Sequence, residues 1–333
     1  MKNVIAAGDK ITVDAARTIL EAGGNAYDAA VAACFMAMVA EPALTSAGGG
    51  GFLNAFPLSG KPIVFDFFVN TPSGKIDSET LDFGPVHVDF GSARQEFYIG
   101  PGSVGVPGII KGLLHTQERL GSVPIKTVLE PAIVAAKDGI TLSESQAYLL
   151  TLLEPIMGYE EDCKRIFFRD GELITGGTRL VMPEFADFLD VLWREGSDLF
   201  YRGEGAKQLL KTMSPGGLIT RDDLENYEVY ERKPLVTPFQ GYTVLQNPPP
   251  ACSGILIDFT LRLLEESGCT SNHSVDQAHI AAAFELTSEI RHHHLEGHIY
   301  DPGLVKLSDK PFFKEYLHRF QYIFSLPVER YNE

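Results

Sequence analysis

The chain has 333 residues, 44% of them hydrophobic, and its 28 Lys and Arg face 44 Asp and Glu for a net charge of −16. That length and apolar fraction suit two ordinary domains or one large layered domain with a sizeable core. The negative charge argues against nucleic-acid or anionic-membrane partners, whose phosphates it repels.

The opening MKNVIAAGDK lacks an apolar core of signal-peptide length. The most apolar stretch, Ala26 to Ala40, is 15 residues long and too short to span a bilayer. The cytoplasm is the expected location. Four cysteines (Cys34, Cys163, Cys252, Cys269) are widely spaced without a CxxC pair, so free thiols are expected.

Two helices fill the first 40 residues. Thr12 is placed to cap the first, with Asp14 in its first turn and a stripe of Val13, Ala16, Ile19 and Leu20. Gly23-Gly24 ends it, because glycine accepts the left-handed conformation of a helix stop. Asn25 and Asp28 then start AYDAAVAACFMAMVA, apolar all round and expected to lie buried against a sheet, with Pro42 ending it. LTSAGGGGFLNAF leads into strand-like runs at 52–56 and 62–68 joined by Ser59-Gly60, the pattern of an antiparallel hairpin. Their lack of clean alternation fits a sheet covered on both faces.

Residues 109–226 read as a mainly helical lobe. Its stripes are Ile109, Leu113 and Leu114; Val128, Ile133 and Ala136; and Phe185, Phe188, Leu189 and Leu192, with Trp193 expected in the core. Thr220 and Asp223 have capping-box spacing. EVYERKPLVTPF and GYTVLQ make two strands around a turn, NPPPACSG an extended linker, and helices follow near 254–266 and 279–298. With no repeat or composition break, residues 1–333 are expected to belong to a single domain.

No stretch carries a self-contained catalyst. Gly48–Gly51 follows a helix and enters a strand, the reverse of a phosphate cradle, so close backbone approach explains it better. In RHHHLEGH, His294 and His298 have the spacing of zinc ligands on a helix. HExxH is absent, and His292, His293 and Glu296 fit a solvated helix end before Asp301-Pro302. No metal or cofactor is therefore assigned. GxSxG is missing, and Cys252 has no activating neighbour in sequence.

Several stretches, in order, resemble the γ-glutamyltranspeptidases of the N-terminal-nucleophile hydrolases. They are AARTILEAGGNAYDAAVAACFMAMVAEPALTSAGGGGF, SVGVPGIIKGLL, VLEPAIVAAKDGI, LFYRGEGAKQLL, GGLITRDDLENYEVYERKPL and GYTVLQNPPPACSGI. The resemblance implies an α/β (α+β) four-layer αββα sandwich whose sheets are shared with a smaller chain. That chain is cut from the same precursor and begins with threonine, whose hydroxyl attacks an amide while its α-amine serves as base. The present chain, ending at Glu333 before such a threonine, is then the large chain of an obligate heterodimer, with no catalytic residue of its own. Higher oligomers of that heterodimer are compatible with this reading.

One departure stands out. The segment matching FDFFVNTP (65–72) reads approximately LDFRETAP in transpeptidases, where the arginine grips the α-carboxylate of the γ-glutamyl donor. Phe68 occupies that position, and no Arg or Lys lies between 62 and 74. Phe68, with Asn70 close by, is expected to border the substrate cavity. The expected substrate is a small amide without a standard γ-glutamyl group, an oxamate-type or acyl amide. A γ-glutamyl enzyme with its clamp supplied elsewhere, and a catalytically dead scaffold, are the alternatives.

Overall fold

The structure, a computed structural model, describes residues 3–269, 276–300 and 310–325. Asp301-Pro302 and the carboxy-terminal PVERYNE lie outside the described residues. The chain divides into two compact units, one of Met1–Gly51 and Asp66–Val229, the other of Phe52–Phe65 and Tyr230–Glu333.

The first unit is built on helices. Lys10–Glu21 begins three residues earlier than the Thr12 cap implies, because Asp9 accepts from the Ile11 amide at 2.8 Å. Thr12 is instead buried and donates to Glu41 Oε1 at 2.8 Å, a partner 29 residues away. Helix Ala26–Ala40 starts as expected, with a capping box between Asn25 and Asp28. Asp28 is fully buried, yet it accepts from the Asn25 and Ser122 amides and from the Ser122 hydroxyl, so its charge is satisfied. Helix Ala26–Ala40 packs among helices Lys10–Glu21, Ile109–Leu120 and Ile125–Asp138.

The helical lobe continues through Glu144–Leu152, Glu161–Phe167 and Pro183–Glu195. Val39, Ala136, Leu142, Leu150 and Leu180 make its centre. Trp193 is not in that core. It is half-buried, donates from Nε1 to Asp190 at 3.0 Å, and has Lys126 and Arg194 over its ring. Its indole N–H and large ring are better accommodated at an edge, where a polar partner is in reach. An antiparallel ribbon, Gly84–Asp89 with Arg94–Ile99, is also part of this unit.

A three-stranded sheet, most of whose residues fall in the second unit, sets strand Ile63–Phe67 between Gly51–Ala55 and Tyr230–Arg232. Leu235–Phe239 pairs antiparallel with Tyr242–Gln246 around Gln240 and Gly241, both at positive φ. Helix Cys252–Glu266 covers this ladder. Gln246 donates to Thr237, Thr237 donates to Asp258 at 2.5 Å, and Arg262 stands 3.7 Å from the same carboxylate. Phe259, Leu263, Leu286, Ile290, Phe313 and Phe320 form the core with helices Gln277–Ile290 and Lys310–Ser325.

Beyond Ile290 the backbone widens into a π-turn over Arg291–Leu295, so no continuous α-helix joins His294 to His298. His292 pairs with Glu296 at 3.1 Å, and His294 meets the Phe312 ring edge-on at 5.0 Å. The four cysteines are free, and burial pushes the Cys34 thiol up to about 11. Among the described residues, no helix is long and apolar enough to cross a membrane.

Candidate active-site wall

The site is assembled where strand Ile63–Phe67 ends. Val64, Phe65, Asp66 and Phe67 are buried, and Phe68 emerges abruptly at 53% exposure. Asp66 Oδ1 accepts from the Phe68 amide at 3.2 Å, turning the chain out of the strand. Two residues on, Asn70 exchanges backbone hydrogen bonds with Val106 at 3.2 and 2.8 Å, an isolated antiparallel bridge. Phe68 and Asn70 are therefore both exposed, at alternate positions of one short held segment.

Glycines let other backbone approach this segment. A methyl at Gly50 would stand 2.6 Å from the Val69 nitrogen and 2.9 Å from the Phe68 carbonyl carbon. One at Gly112 would overlap the Phe67 ring, and one at Gly108 would overlap the Tyr227 hydroxyl. The Gly49 carbonyl accepts from the Gly108 and Ile109 amides at 2.9 and 3.0 Å, satisfying the first turn of helix Ile109–Leu120. Within the glycine run it is Gly50 that serves close backbone approach, while Gly48, Gly49 and Gly51 meet nothing nearer than 3.2 Å.

Behind the segment stand two tyrosines that sequence reading did not single out. Tyr227, 2% exposed, donates to the Phe68 carbonyl at 2.8 Å. Its ring stacks on Tyr201 with centroids 5.6 Å apart, and Tyr201 donates to the Pro107 carbonyl at 2.9 Å. Burial pushes the Tyr201 phenol far above its usual range, so it remains a donor at any working pH. Lys111 donates to the Tyr227 carbonyl and lies 5.3 Å from the Tyr201 ring centre. Burial, aided by Arg202, lowers its ammonium from the ordinary value.

Asp223 closes the arrangement. It caps helix Arg221–Glu225 with Thr220 and accepts from the Ser73 amide at 3.1 Å, tying the helical lobe to the chain just beyond Asn70. Burial pushes this carboxyl up, but the hydrogen bonds from Thr220 and Ser73 outweigh it and hold the group below the ordinary carboxylate range. Chemically, the wall offers an apolar ring and an amide side chain on a rigid backbone.

Comparison with known proteins places this architecture. The mixed helix-and-sheet chain has the αββα fold of the N-terminal-nucleophile hydrolases. The gamma-glutamyltranspeptidase family model matches residues 12–320, and the chain belongs to that family. The crystal structure of Helicobacter pylori gamma-glutamyltranspeptidase superposes with a TM-score of 0.83 at 27% identity, covering 96% of this chain and 93% of that one. A glutathione hydrolase proenzyme of Escherichia coli is 32% identical over 79% of this chain and 45% of its own length. An acylase ACY 1 proenzyme of a Pseudomonas strain is also 32% identical, over 79% of this chain and 48% of its own. The chain spans about half the length of these curated relatives.

Proposed function

We propose that this chain is the large-chain portion of an autoprocessed amidohydrolase or acylase, one αββα domain completed by a smaller chain beginning with threonine. The proenzyme names of its relatives support processing from one precursor. The threonine hydroxyl adds to the amide carbonyl, its α-amine takes the proton, and the amine leaves; water then hydrolyses the acyl-enzyme ester. In this reading Phe68 and Asn70 border the acyl group, and the substrate is a small amide lacking a γ-glutamyl carboxylate.

One observation carries the substrate class. At the strand end where transpeptidases keep a carboxylate-gripping arginine stands the exposed ring of Phe68, with no Lys or Arg from 62 to 74. Identity does not discriminate, being the same to the glutathione hydrolase as to the acylase. The two-chain protein is expected to hydrolyse apolar acyl anilides better than γ-glutamyl anilide. Phe68→Arg should move the kcat/KM ratio towards γ-glutamyl donors by at least about ten-fold, since a charge-assisted hydrogen bond contributes roughly 1.5–3 kcal/mol. Wild-type protein already efficient on γ-glutamyl anilide would sink this substrate class. It would favour the second reading, a γ-glutamyl hydrolase clamped from elsewhere, for which kinship to the glutathione hydrolase speaks. Intact mass and amino-terminal sequencing test the partner, and a lone 36.5 kDa chain that is monodisperse and folded would overturn it.

A further inference from the structure

We infer that Tyr227 is a positioning residue for substrate selection, acting through the Phe68 carbonyl; this rests on the reading of Phe68 as a wall of the acyl pocket. The Phe68 ring is the exposed part of a residue whose backbone is fixed at both ends of its peptide units. Its amide donates to Asp66, and its carbonyl accepts from Tyr227 at 2.8 Å. The backbone sets the direction of the Cα–Cβ bond, so holding the peptide units on either side of Phe68 holds the root of its ring. Tyr227 is suited to that task. It is buried, its ring is stacked on Tyr201, and its own carbonyl is held by Lys111.

The two stacked tyrosines grip both sides of the bridge at the site. Tyr227 holds Phe68 ahead of Asn70, and Tyr201 holds Pro107 after Val106. Gly108 completes the fit, since any side chain there would displace the Tyr227 hydroxyl. Gly50 also lies against Val69 and Phe68 at distances that leave no room for a methyl. The Phe68 backbone is thus both bonded by a hydroxyl donor and closely approached by a glycine, a degree of control that packing of the strand alone does not require.

The test compares hydrolysis of an apolar acyl anilide and of γ-glutamyl anilide by the two-chain protein. Tyr227→Phe deletes one oxygen and keeps the stack. It should lower the preference between the two substrates about five-fold through KM of the better one, with kcat within about two-fold, the scale of one neutral hydrogen bond. Thr12→Val, which deletes a buried hydroxyl bonded to Glu41, should lower the melting temperature and leave the preference unchanged. Gly50→Ala pushes the same peptide and should repeat the shift, and it decides the matter if Tyr227→Phe does not fold. A folded Tyr227→Phe or Gly50→Ala protein with wild-type preference, while Phe68→Ala changes it, overturns the positioning role and spares Phe68 as a wall. If Phe68→Ala leaves the preference untouched, the reading of Phe68 fails and the inference with it.

Discussion

Two stretches of the first unit, separated by a dozen residues, are built on opposite principles. The segment from Asp66 to Asn70 is fixed by hydrogen bonds of buried or half-buried groups and by glycines that admit neighbouring backbone at contact distance. The ribbon Gly84–Asp89 with Arg94–Ile99 is instead dressed with exposed aromatics and surface ion pairs. Phe83 stacks on Tyr98 at 4.5 Å, Arg94 reaches Asp89 at 3.8 Å, and His87 reaches Glu96 at 3.4 Å, all in solvent. Position is enforced in the first case by what cannot move and merely favoured in the second by contacts that water can replace. The lesson is that rigidity here tracks excluded volume and buried donors, and owes little to the number of charged pairs.

The same chemical change separates the two regions most sharply. Gly112→Ala places a methyl in the Phe67 ring inside a close-packed helix contact, so it should cost about 3 kcal/mol or more despite alanine's better helix propensity. Denaturant titration measures this, and a stabilised variant would show that the contact relaxes freely. Asp223→Ala removes a cap and the tie to Ser73, and about 1–2 kcal/mol should be lost at neutral pH. Because the folded carboxyl is held below its ordinary value, that contribution is present above the unfolded value of about 3.9. It fades as pH falls through the folded one. Acid titration of both proteins should therefore bring their stabilities together at low pH, and a gap that widens there would contradict the assignment.

Smaller effects belong to the ribbon. Gly91 turns it at a φ of 84° with open space around it, so Gly91→Ala should cost only the left-handed backbone penalty of about 1 kcal/mol. Thermal melting would show whether the two glycine variants really differ. Arg94→Ala removes an exposed ion pair and should leave the melting temperature unchanged within error at any salt concentration. A measurable loss would mean that the ribbon is held by its charges after all.

Much of the fold was legible because its signals are local. The capping boxes of Asn25 with Asp28 and of Thr220 with Asp223 span three residues and form as the sequence indicates. The helical run from 109 and the strand turn at Gln240-Gly241 likewise follow from spacing and from turn chemistry. Thr12 misled because two acceptable caps stand three residues apart, and burial against Glu41 took the second. Trp193 misled because a stripe gives a helix face its direction and says nothing of where that face runs out. At the wall, the place of Phe68 beside a turn could be read from FDFFVNTP. Tyr227 could not, since its bond to Phe68 joins positions 159 apart and leaves no periodic trace in either. The absent methyl groups of Gly108 and Gly112 are the nearest thing to a signal, and they identify a crowded neighbourhood without naming the neighbour.

The bridge between Asn70 and Val106 has a consequence for how such a protein can diversify. The chain leaves the wall at Asn70, travels through the ribbon and returns at Val106 to the same pair of hydrogen bonds. Whatever lies between is a cassette with fixed terminals, fastened near its start by Ser73 and again before the ribbon by Asp82. Closing a loop twice as long costs only about 0.6 kcal/mol more, so the tip of the cassette between Asp89 and Arg94 can be lengthened, trimmed or exchanged while the terminals stay in register. A lineage or an engineer can therefore rewrite this part of the unit in one piece without moving the Phe68 segment from which it springs.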